Sequence, residues 1–121
     1  MSDRSLILAV IPDLMFQSRV IERARSLNFE VEVADSMDDA ARGLERSPGL
    51  LVIDLHGDGI DTGALIAAAS GQDVPVLAFG RHTEAAVLRA AREAGSDAVV
   101  VRSTFVEEMG RLLTDHIRAD E

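Results

Sequence analysis

Asp54 is the residue best placed to do chemistry. It follows the apolar run Leu50-Leu51-Val52-Ile53, and Leu55-His56-Gly57-Asp58-Gly59 comes next as an acidic, glycine-rich loop. Five apolar residues in the six positions from Leu50 to Leu55 are too few for a helix and read as a strand buried on both faces. Ligands of open parallel sheets bind just outside the carboxyl ends of the strands, so Asp54 falls where chemistry is expected. His56 and His82 lie on loops predicted at the same edge. With Asp54 they could form a mixed nitrogen and oxygen site of the kind zinc accepts; the competing reading is a pair of solvated loop histidines. His116 lies on the last predicted helix, where surface placement is the default.

Composition removes several classes of function. The chain has 121 residues, enough for one domain with a substantial core, residues 1–121. Its formal charge of −9 argues against a nucleic-acid partner, which requires basic stripes. All twelve cationic side chains are arginine, so Schiff-base and phosphate-loop lysines are excluded. Cysteine is absent, which removes disulfides, thiolate nucleophiles and cysteine-ligated zinc. No apolar run approaches the ~20 residues of a membrane span, and Met1-Ser2-Asp3-Arg4 leads into a strand without signal-peptide features. A soluble, cytoplasmic protein with no membrane role is expected.

The stretch around Asp54 contains partial motifs. Asp54-Leu55-His56-Gly57-Asp58-Gly59 matches the D-x-H-x-x-G of cobalamin-binding domains, but it follows the third strand instead of the first, with too little chain beyond to complete that fold. The same residues half-match a calcium loop that places Leu65 where a bidentate glutamate belongs. Gly57, Gly59 and Gly63 suit a tight strand-to-helix turn, since nearby aspartates would repel a pyrophosphate.

The elements alternate strictly. Leu6–Ile11 reads as a buried strand stopped by Pro12, and Asp13 as the N-cap of a helix burying Phe16, Val20, Ala24 and Leu27. Asn28 suits the left-handed position after it. Phe29–Val33 alternates apolar and acidic residues, which marks an edge strand with one wet face. Ser36 and Asp39 open a second helix that buries Met37, Ala40, Ala41 and Leu44, and Ser47-Pro48-Gly49 breaks it. After the Asp54 strand come a helix near Thr62–Ser70 and a strand over Val74–Phe79 ended by Gly80. Thr83 is the expected cap of a fourth helix with Val87, Leu88, Ala91 and Ala94 inside and Gly95 closing it. Ala98–Val101 is the fifth strand. Thr104 with Glu107 is the expected opening of one last helix that buries Phe105, Met109, Leu112, Leu113 and Ile117. The tail Ala119-Asp120-Glu121 is expected to fray. Five strands alternating with five helices predict an α/β fold with a parallel sheet covered on both faces.

Leu27-Asn28-Phe29-Glu30-Val31, the Asp54 strand, Pro75-Val76-Leu77 and the stretch from Ala94 to Arg102 are together similar to the receiver domain of bacterial response regulators. The resemblance covers Leu6 to about Ile117. It implies a flavodoxin-like (βα)5 doubly wound sheet of order 2-1-3-4-5, with helices one and five on one face and two, three and four on the other. It also implies that Asp54 holds the phosphoacceptor position of a phosphorelay. Other chemical positions of the family are changed. Where receivers carry an acidic pair for Mg²⁺, this chain has Ile11-Pro12, with Asp13 just beyond; Ile11 and Pro12 offer no side-chain oxygen for that hard cation. Gly80 replaces a hydroxyl residue, Val99 an aromatic one, and Arg102-Ser103 a lysine followed by a cis proline. Arg102 keeps the charge and is expected near Asp54, holding it ionised.

The leading expectation is therefore a stand-alone, degenerate receiver: a non-enzymatic protein-interaction module in bacterial two-component signalling, with no cofactor and no bound metal. Its pocket would be formed by Ile11, Pro12, Asp13, His56, Gly80, Arg102 and Ser103 around Asp54. A histidine kinase is a candidate partner. A homodimer could form through the last two helices and the fifth strand, where Arg89, Arg92, Glu93, Glu107, Glu108, Arg111, Asp115 and Arg118 offer mixed charge. One alternative is a true phosphoacceptor regulator that uses Mg²⁺ and Asp54. Another is a small-molecule or metal-binding module at the same edge.

Overall fold

Alternation along the buried strands decides where the helices go. In the computed structural model, which describes residues 3–118, the strands are β1 (Asp3–Val10), β2 (Glu30–Ala34), β3 (Pro48–Asp54), β4 (Val76–Gly80) and β5 (Ala98–Val101). They pair in parallel in the order β2-β1-β3-β4-β5, as expected. Successive side chains of a strand point to opposite faces. Ile7, Ala9, Leu50, Val52, Leu77 and Phe79 enter one core, and Leu8, Val10, Leu51, Ile53, Val76 and Ala78 enter the other. With two apolar faces the sheet must be covered twice. Helices α1 (Leu14–Ser26), α5 (Arg102–Glu107) and α6 (Met109–His116) cover the first face; α2 (Met37–Glu45), α3 (Thr62–Gly71) and α4 (Ala85–Ala94) cover the second.

Several ends form for the reasons the sequence suggests. Asp13 accepts from the backbone N–H of Phe16 and caps α1, and Ser36 accepts from that of Asp39 and caps α2. Asn28 and Gly95 take left-handed backbone conformations after α1 and α4. Asp97 ties the starts of β4 and β5 together: its Oδ2 accepts from the Val76 N–H at 2.8 Å, while its own N–H donates to the Val76 carbonyl at 2.9 Å.

Other ends differ. Thr83 does not cap α4; Glu84 holds the N-cap position without a side-chain bond, and the helix is seated by burial of Leu88 and Ala91. Thr104 and Glu107 do not open the last helix either. α5 runs straight out of β5 from Arg102 with no side-chain cap, held by the fully buried Phe105. The single expected helix is two, because the backbone departs from helical geometry at Glu108 (φ −115°). Gly110 follows closely and lets the Arg23 guanidinium of α1 lie where a Cβ would sit. On α2, Ala41 is exposed and Gly43 is buried instead; a Cβ at Gly43 would lie 2.5 Å from Leu8 Cδ1, so the helix approaches β1 along that residue. Pro48 and Gly49 are buried strand residues and not a break, because Ser47 alone makes the turn at φ 49°. Ala119-Asp120-Glu121 lies outside the described residues.

Candidate functional site

Asp54 is the last residue of β3 and only 6% exposed. Its Oδ1 accepts from the backbone N–H of His56 at 2.9 Å. Its Oδ2 lies 3.5 Å from Arg102 Nη2. Arg102 opens α5, so β5 delivers it to the carboxyl edge of the sheet one strand beyond β4. Its guanidinium stands 4.7 Å from the ring centroid of Phe16 and 6.0 Å from that of Phe79. Phe16, Phe79 and Phe105 are mutually stacked, with centroids 4.5–5.8 Å apart. The three rings come from α1, β4 and α5, so the fold itself builds the platform. A guanidinium over a ring face is held electrostatically as well as sterically. Arg102 is thus fixed between an aromatic surface and a carboxylate.

His56 turns back over the end of β4. Its Nε2 accepts from the backbone N–H of Arg81 at 2.9 Å, as the tautomer with its proton on Nδ1 can do. The ring fills the space beside Gly80: a Cβ there would lie 3.0 Å from His56 Nε2 and 3.1 Å from Leu88 Cδ2. The β3 and β4 ends are clipped together by a side chain where a residue larger than glycine would intrude. On the other side, Ile11 is fully buried and its carbonyl accepts from the buried Gln17 Nε2 at 2.6 Å. The Pro12 ring packs on Gly57, where a Cβ would approach Pro12 Cγ to 2.9 Å. Asp13 accepts from the Phe16 N–H through its Oδ1 at 3.0 Å, and it lines the same cleft as Asp54.

Two concavities share this edge. A cleft of about 250 Å³ is lined by Asp54, Pro12, Asp13, His56, Gly57, Asp58, Arg81 and Arg102. A larger groove of about 770 Å³ runs between α1, the loop after β4 and α5. Of the expected site residues, the structure brings Pro12, Asp13, His56 and Arg102 to Asp54. Ile11 and Gly80 lie buried beneath the edge, and Ser103 lines the groove instead of the cleft. His82 also faces the groove, so the Asp54, His56 and His82 trio does not assemble. Arg81 and Gln17 were not foreseen as neighbours. Leu14 and Met15, at the start of α1 and outside its Phe16, Val20 and Ala24 face, were the signal available in sequence for an apolar surface here, and both are exposed.

No family model matches the sequence, and no curated protein does. Solved structures do. A signal receiver domain from Bermanella marisrubri superposes with a TM-score of 0.82 at 19% identity, over 96% of this chain and 98% of that one. The NtrX receiver domain of Brucella abortus gives 0.76 at 19% identity, over 90% and 94%. An orphan response regulator of H. pylori gives 0.78 at 12%, over 93% and 96%. This chain has the receiver fold.

On the receiver fold, Asp54 stands at the end of the third strand, where the sequence resemblance placed it, and its surroundings can be tested against the Mg²⁺ that the fold family implies. Mg²⁺ needs several hard oxygens in near-octahedral array. Ile11 and Pro12 supply none from their side chains, Asp13 caps α1, and Asp54 Oδ2 faces a fixed guanidinium. Among the described residues no three His, Asp or Glu side chains are grouped to hold a metal. The acidic pair that the fold family implies for Mg²⁺ is not reproduced by Ile11 and Pro12 in this receiver fold. No helix among the described residues is long and apolar enough to cross a membrane.

Proposed function

We propose that the chain is a degenerate receiver: a non-enzymatic protein-interaction module of signalling in which Asp54 is a structural anion instead of a phosphoacceptor. The observation that supports this most is Arg102 Nη2 at 3.5 Å from Asp54 Oδ2, with the guanidinium seated on Phe16. An incoming phosphoryl group would have to displace that cation from the oxygen it needs. Ile11 and Pro12 stand where the family's acidic pair would hold Mg²⁺ against the phosphoryl charge, and Gly80 carries no hydroxyl to receive it. The His56 ring fills the space beside Gly80 instead.

A module without chemistry acts through a surface. The face of α4, β5 and the α5–α6 pair is the proposed contact, with a second copy of the chain or a signalling partner such as a histidine kinase. On α6, Arg111 already bridges Glu108 and Asp115; the Glu108 hydrogen bond first, then its charge, raises the Arg111 pKa above the ordinary guanidinium value. The charges left open to a partner on this face include Arg89, Arg92 and Glu93 of α4 and Glu107 of α5, all exposed.

The test is incubation with acetyl phosphate and Mg²⁺, read by intact mass, alongside beryllofluoride titration followed through amide shifts. Neither an adduct nor shifts around Asp54 are expected. A stoichiometric adduct at Asp54 would overturn the proposal in favour of a phosphoacceptor regulator.

A further inference from the structure

The larger groove shares Asp13, Arg81 and Arg102 with the Asp54 cleft, but Asp54 itself does not line it. Its floor and sides are apolar: Phe16 from α1, Val101 at the end of β5 and Val106 from α5, with Met15 at the rim, 81% exposed. Its polar lining carries three arginines, Arg19 from α1, Arg81 from the loop after β4 and Arg102 from α5, beside the polar His82, Thr83 and Ser103. Arg102 answers Asp54, but Arg19 and Arg81 form no ion pair with any described residue. Asp13 is the one acidic residue in the lining, and its Oδ1 is engaged by the Phe16 N–H. On a chain of formal charge −9, three guanidinium groups around one apolar hollow form a local reversal of sign.

We propose that this groove binds a small amphipathic anion: an aromatic or branched apolar body carrying a carboxylate or phosphoryl head. The volume of about 770 Å³ lies in the range of small-molecule sites, typically ~300–1,000 Å³. Guanidinium forks match the two oxygens of either head group. The cations converge on one hollow from three separate elements instead of spreading along a face, which favours a compact ligand over an extended macromolecular partner. The proposal goes beyond the degenerate-receiver reading: Arg81 and Arg102 line both the groove and the Asp54 cleft, whereas Arg19 lines the groove and not the cleft, so loss of anion binding and phosphorylation of Asp54 are separate outcomes.

The test uses the full chain and two fluorescent probes of nearly the same body, anionic 8-anilinonaphthalene-1-sulfonate and neutral N-phenyl-1-naphthylamine. The anionic probe should bind saturably at one site and shift the amides of Met15, Arg19, Arg81 and Ser103. The neutral probe should bind about tenfold more weakly or worse. The double substitution Arg19→Gln/Arg81→Gln should weaken the anionic probe about tenfold and leave the neutral one unchanged. Its urea midpoint, read in parallel, shows that the fold is retained. Competition with 2-naphthoate and with 2-naphthyl phosphate then distinguishes the carboxylate from the phosphoryl head. Equal affinity for the two probes, unsaturable binding, shifts confined to α2 or α3, or indifference to the double substitution would each overturn the proposal.

Discussion

The Asp54 cleft and the groove beside it share Asp13, Arg81 and Arg102 in their walls, yet one is answered from within and the other is not. In the cleft, both Asp54 oxygens face partners from the chain and the His56 ring is clipped to β4. In the groove, Arg19 and Arg81 share a largely apolar lining with the single carboxylate of Asp13 and form no ion pair with any described residue. The residue that looks most reactive in the sequence is the more satisfied one. The less conspicuous arginines are the ones with free valence for a ligand. A carboxylate at a strand end is therefore evidence of position, and its partners decide whether it can act.

The comparison breaks first at the platform that both regions stand on. Phe16 is buried against Phe79 and Phe105 and carries Arg102. Phe16→Ala should cost about 3 kcal/mol in urea unfolding; a cost below ~1 kcal/mol, the level of a surface change, would mean that the stack does not support the edge.

Next comes the pair itself. Asp54 is nearly buried, with 8% of its side chain exposed, whereas the Arg102 side chain is 44% exposed. Breaking a fully buried pair costs ~3–5 kcal/mol and an exposed one ~0–1 kcal/mol. Arg102→Met should fall between, at about 2 kcal/mol. The cycle with Asp54→Ala should show coupling above ~0.5 kcal/mol, and additivity would sink the structural role of Asp54.

A smaller effect sharpens the account of the strand ends. Gly80→Ser restores the family's hydroxyl but crowds His56 and Leu88, and should cost about 1.5 kcal/mol through overpacking. In a His56→Ala background the same change should cost less than half as much. An unchanged cost would show that the imidazole is not what fills that space. Smallest of all, Arg19→Gln/Arg81→Gln should leave stability within ~0.5 kcal/mol, because exposed groups without partners hold nothing together. A larger loss would mean that the groove arginines are structural after all.

Much of this was legible in the sequence. The edge place of β2 followed from the wet-faced Phe29–Val33 segment, the full strand order from the receiver resemblance, and the nearness of Arg102 to Asp54 from both residues lying at strand ends on one edge. What was hidden had a common cause. Gly80 reads as a missing side chain, and nothing local says that His56, far away in sequence, fills the vacancy. Thr83 and Thr104 look like helix caps by local chemistry, but burial of Leu88 and Phe105 sets where those helices begin. Ala41 lost its place to Gly43 because α2 meets β1 closely enough to require no side chain. The groove is assembled from three distant segments and leaves no motif.

Arg102 has one guanidinium and two neighbours with a claim on it. An anion in the groove that drew it off Asp54 would strand a nearly buried carboxylate, and anything that neutralised Asp54 would free the same guanidinium for the groove. By linkage, the free energy that one event costs the other is equal in both directions. Under the proposed groove ligand, one half-exposed side chain would thus couple an anion at the surface to a nearly buried carboxylate at the strand end.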